Sequence, residues 1–80
     1  MVLGADLVSQ LSHREYDTLE RAVSRGSRVA ISRPGRRELV LIPLSLSLDD
    51  GREIIKARNP TTGHELTIYL DEVERIEAVT

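Results

Sequence analysis

Asp49 and Asp50 stand side by side, His13 and His64 are the two imidazoles, and Arg33-Pro34-Gly35-Arg36-Arg37 crowds three cations around one glycine. Adjacent carboxylates can divide acid and base work between them. Here they abut Gly51, and Asp-Gly is the signature of a tight hairpin turn, which accounts for both. His13 sits inside a helix-start signal and His64 beside a turn, and no His-x-x-x-His or Glu-x-x-His spacing gathers ligands for a metal. No serine occupies a Gly-x-Ser-x-Gly elbow. The arginine-rich segment lacks the lysine and the following helix of a phosphate loop, so it is at most an anion-contacting turn. Asp71, Glu72, Glu74 and Glu77 form an acidic run most simply explained as a solvated edge that discourages sheet-to-sheet association. These residues describe a binding module rather than an enzyme, and none of them calls for a metal or cofactor.

The binding candidates are cationic. Arg52, Lys56 and Arg58 fall on alternate positions of one extended run, so they share a face, and Arg33 lies on or near the same surface. Single-stranded nucleic acid is gripped by aromatic faces flanked by cations. Of the two tyrosines, Tyr69 points outward if Ile68 and Leu70 point inward, and so offers a single stacking platform. Charge is unevenly spread, with seven Arg against four acids in residues 1–37 and four basic residues against nine acids in residues 38–80. The basic half can attract an anion or a phosphate backbone, whereas a net charge of −2 argues against a dedicated nucleic-acid binder.

Positioning these groups requires one helix and a set of strands. Ser12 and Glu15 have the spacing of a capping box, with Leu11 and Tyr16 placed as a hydrophobic staple. Tyr16, Leu19 and Val23 share a helical face with Ala22 beside them, and Gly26 is a natural stop, so a helix is predicted over 13–25. Residues 5–10 suggest a short extra turn. Strand patterns then follow at 28–32, 38–42, 44–48, 52–58, 66–70 and 73–79, separated by Arg33-Pro34-Gly35-Arg36, Pro43, Asp50-Gly51, Asn59-Pro60-Thr61-Thr62-Gly63 and Asp71-Glu72. Pro43 should mark a bend or an edge. Leu44, Leu46 and Leu48 alternate with Ser45 and Ser47, which predicts one buried face. One N-terminal helix followed by about five short strands predicts a mainly β domain, a strongly bent SH3-like or Sm-like small barrel that hides most of its edges by closing on itself. The run 38–42 is apolar on both faces, with Leu39 and Leu41 facing one way and Val40 and Ile42 the other. Since a small barrel has one interior, the pair left outside it is expected beneath the helix, with a subunit interface as the alternative.

Eighty residues make one domain. With no Phe and no Trp, the core must be aliphatic, and small cores of this kind often gain from association. The absence of cysteine removes disulfides and thiolate chemistry and fits a reducing compartment. The first residues lack the basic and apolar regions of a signal peptide, and no apolar run approaches the ~18 residues of a membrane span. A cytoplasmic protein without membrane contact is expected.

Along residues 17–79 the chain resembles the WYL domain, an Sm-like module of bacterial transcription and defence regulators. Leu19-Glu20-Arg21-Ala22-Val23 and Arg28-Val29-Ala30-Ile31 match its opening. Pro43, Asp50-Gly51, Ala57, Asn59-Pro60, Gly63 and Leu70-Asp71 keep its register without a gap. The name-giving strand departs from the family, reading Glu53-Ile54-Ile55. Arg33 stands where a tyrosine is frequent, and Leu66, Tyr69 and Glu72 stand where the family carries arginines. The resemblance implies a regulatory module that senses a ligand or nucleic acid or mediates assembly of a regulator, with Arg33, Arg52, Lys56, Arg58 and Tyr69 as its residual binding surface. Leu11 through Glu20 also resembles the first helix of Rof, a small Sm-like protein that binds termination factor Rho. That likeness implies a protein partner in the transcription machinery, met by Glu15, Asp17 and Glu20. A purely structural module, dimerising through residues 38–42, is the third reading.

Overall fold

The structure, a computed structural model, describes residues 11–79. The expected turn at 5–10 lies outside them. Helix α1 spans His13–Arg25, as the capping signal requires. The Ser12 hydroxyl accepts the Glu15 backbone N–H, while the Glu15 carboxylate accepts the Ser12 N–H, so both halves of the capping box are made. Gly26, in the left-handed region, ends the helix. Leu19 and Ala22 are buried beneath it, and Leu11 and Tyr16 pack at the margin of the same core.

Five antiparallel strands follow: β1 (Val29–Ser32), β2 (Leu39–Asp49), β3 (Arg52–Arg58), β4 (Glu65–Tyr69) and β5 (Arg75–Ala78). Their order in the sheet is β4-β3-β2-β1-β5. The runs 38–42 and 44–48 are therefore one long strand. Its first part pairs with β1, through Leu41 opposite Val29, and its second with β3, from Ile42 opposite Arg58 to Asp49 opposite Arg52. Pro43 is neither an edge nor a break. It is buried opposite Ala57, just where β2 exchanges one partner for the other.

Between Pro43 and Ser45 the register slips, leaving Leu44 as an extra residue. A bulge of this kind bends the strand and reverses its inside-outside parity. Leu39, Leu41 and Pro43 thus face the core before the slip, and Leu46 faces it afterwards. The expected alternation fails at the far end, where Leu48 is 69% exposed beside the hairpin. Val40 is also not covered by the helix, being 39% exposed. The helix lies over the opposite face, where Leu19 meets Leu41, Ile55 and Ile76 in a single aliphatic core.

The expected barrel does not close. After β4, the chain makes a 3-10 turn over Leu70–Glu72, and the side chains of Leu70 and Val73 are buried in the common core. The outward N–H of Ile76 in β5 is already taken by the Glu15 carboxylate at 3.0 Å, so the helix N-terminus occupies part of that edge. Among the described residues the result is an open five-stranded sheet with one helix. No helix among the described residues is long and apolar enough to cross a membrane.

Candidate anion-binding surface

Arg52 is fixed by the two hairpins around it. Asp50 and Gly51, with φ of 54° and 82°, form the two-residue β2–β3 turn that Asp-Gly favours, and Arg52 opens β3 directly after it. The β3–β4 register sets Ile54 opposite Tyr69. Arg52 therefore projects two positions farther along, diagonally across Tyr69 and beside Asp71, just beyond the end of β4. Its guanidinium lies 3.6 Å from the Tyr69 ring centroid. Nε donates to Asp71 Oδ2 at 2.9 Å and Nη2 to Oδ1 at 2.8 Å, a two-point pair, with Glu72 at 3.8 Å. The hydrogen bonds from Arg52 hold the Asp71 carboxyl below its ordinary range, and the same contact raises the Arg52 pKa. Three guanidinium N–H groups remain uncommitted to Asp71.

The other cations divide between two places. Lys56 and Arg58 lie on the same sheet face as Arg52, with Ser45 and Thr67 opposite Lys56. At about 3.3 Å per residue they stand roughly 13 and 20 Å farther along β3. Arg58 faces Glu65 at 3.9 Å, whereas Lys56 makes no ion pair among the described residues. Arg33 is at the other end, in the β1–β2 turn. There Pro34 and Gly35 (φ 70°) bring the Arg36 N–H to the Arg33 carbonyl at 3.2 Å. Arg33, Pro34 and Arg36 line a pocket of about 270 Å³ together with Asp71, Glu72 and Val73. The Arg33 Nε is buried and finds no acceptor among the described residues.

The five residues expected to form one surface thus separate. Arg33, Arg52 and Tyr69 gather around Asp71, while Lys56 and Arg58 stand apart. Asp71 was expected only to turn the chain within a solvated acidic edge. Its role depends on strand register, and no local pattern of residues expresses it.

The acidic helix candidates also divide. Glu15 is committed to the fold through Ser12 and Ile76, leaving Asp17 and Glu20 exposed on the helix. Burial pushes the Glu15 carboxyl up, but hydrogen bonds from Ser12 and Ile76, together with nearby Arg75, outweigh it and hold the group below its ordinary value. At the next residue, the Tyr16 hydroxyl donates to the Glu53 carboxylate in β3. Burial, that bond and the neighbouring carboxylates push Tyr16 up to about 12.

Asp49 and Asp50 form the exposed hairpin, and exposed His64 closes the β3–β4 turn through its backbone carbonyl, which accepts the Asn59 N–H at 2.8 Å. No group of three or more His, Asp or Glu side chains among the described residues is placed to hold a metal ion. In comparison with known proteins, neither a family model nor a curated sequence matches this chain.

Proposed function

We propose that the chain is a non-enzymatic regulatory module of the WYL-like, Sm-like type, acting in bacterial transcription control and sensing an anionic ligand or a nucleic acid. The observation that carries this reading is the buried Arg33 Nε without an acceptor, at the wall of a pocket that also contains Asp71. A buried donor without an acceptor costs about 1–3 kcal/mol. A phosphate or carboxylate oxygen entering the pocket would recover that cost and would meet Arg36 as well. Through Asp71 the pocket adjoins Arg52 and Tyr69, a cation and a ring already stacked, which suits a nucleobase next to a phosphate. The helix followed by a β4-β3-β2-β1-β5 sheet with a bent β2 supports the Sm-like reading.

Binding of short single-stranded RNA and DNA, measured across a salt titration, tests the proposal. Arg33→Ala should weaken binding by about tenfold or more, the loss expected for one charged hydrogen bond. Lys56→Ala, outside the pocket lining and roughly 13 Å from Arg52 along β3, should change it far less. Undiminished affinity in Arg33→Ala, or no binding at low salt, would remove the proposal.

A further inference from the structure

The pocket at Arg33 leaves most of the arginine surplus of the first half of the chain unexplained. At the other end of the helix, Arg21, Arg25 and Arg28 line a second groove, of about 290 Å³, with Ala22, Val29 and Val79 among its walls. None of the three arginines forms an ion pair with a carboxylate among the described residues. The one side-chain bond in the set runs from Arg21 Nε to the Asp17 backbone carbonyl at 3.5 Å.

Three like charges around one groove repel one another, and the fold supplies little to offset them. The helix C-terminus carries about half a negative charge, effective only over its last turn. That accounts for one arginine and not three. A phosphate monoester carries about −1.5 to −2 at neutral pH, close to the uncompensated charge. The small apolar walls leave room beside the arginines for a flat or apolar body.

We infer that the groove between the end of α1 and the adjoining ends of β1 and β5 binds the phosphate of a nucleotide-sized phosphorylated small molecule. Arg21, Arg25 and Arg28 take the phosphate, and Ala22, Val29 and Val79 take the body. The site is separate from the Arg33 pocket and stands whether or not that pocket binds a ligand.

Calorimetric titration of the full chain at low salt with AMP, adenosine, inorganic phosphate and a short oligonucleotide tests it. AMP should bind, with adenosine at least about tenfold weaker because it lacks the charge. The double variant Arg25→Ala, Arg28→Ala should lose about tenfold or more in AMP affinity, and should do so equally in an Arg33→Ala background, where the other pocket is disabled. All three side chains are exposed, so the variants should keep the parent's thermal transition; the charge reversal Arg21→Glu provides an independent check. Absence of AMP binding, or AMP binding indifferent to these substitutions, would overturn the inference. Inorganic phosphate competing as well as AMP would overturn the nucleotide-sized ligand. Tighter oligonucleotide binding through the same arginines would overturn the small-molecule class.

Discussion

The Glu15 carboxylate accepts the backbone N–H of Ile76 at 3.0 Å, joining residues 61 positions apart. The same carboxylate closes the capping box with Ser12. One side chain therefore starts the helix and attaches it to an edge strand, which explains why an acid at this position serves the fold before it can serve a partner.

That double role predicts a specific acid response. The folded Glu15 pKa lies below the ordinary value of 4.5, so its stabilisation is complete above that value and is lost as pH falls through the lower, folded one. Glu15→Gln keeps one acceptor oxygen but removes the charge. At pH 7 it should cost about 1 kcal/mol, the scale of a capping interaction. Thermal unfolding of both proteins from pH 7 to pH 3 checks this: the gap between them should narrow below pH 4.5. A gap that stays constant would show that the carboxylate charge contributes nothing.

Arg52 and Asp71 provide a test of geometry at constant charge. Lysine retains the positive charge at position 52 but cannot make two parallel hydrogen bonds while lying flat on Tyr69. Arg52→Lys should let the Asp71 carboxyl move back toward its ordinary pKa, which carboxyl-carbon NMR reads directly. Because both side chains are solvent-accessible, the change in thermal stability should be well below that of a core truncation such as Ile55→Ala, for which about 2–5 kcal/mol is expected. An Asp71 titration identical in the two proteins would mean that the two-point pair is not formed in solution.

The local part of this structure was legible in the sequence. Ser12, Glu15 and Gly26 delimit the helix by interactions within one turn, and Asp50-Gly51 specifies its hairpin through two backbone angles. The bulge at Leu44 was hidden because Pro43 suggested a break between two strands, whereas it sits inside one strand that changes partner. Without that slip, the alternation could not show that Leu41 and Leu46 share a core. Barrel closure was over-read for a related reason: the burial of Leu70 and Val73 around the 3-10 turn and the Glu15 contact on the β5 edge are long-range packing that no local pattern of residues encodes. At the candidate site, parity correctly put Arg52, Lys56 and Arg58 on one face. It could not reveal that Asp71 holds Arg52, or that Arg33 sits across a pocket from the others.

The turn that presents Arg33 supplies the last prediction. Gly35 has φ of 70° at the third position of a Pro-Gly turn, closed by the Arg36 N–H bonding to the Arg33 carbonyl. A Cβ built at Gly35 meets no atom within 4 Å, so any cost of substitution comes from the backbone conformation and not from crowding. An L-residue in this region costs roughly 1–2 kcal/mol. Gly35→Ala should lower stability by about that amount, and it should also weaken binding at the Arg33 pocket, because the turn fixes Arg33 and Arg36 against Asp71. D-alanine at position 35, introduced by chemical synthesis, has the opposite preference and should preserve both stability and binding. If the two stereoisomers destabilise the protein equally, the left-handed turn is not what holds this wall of the pocket.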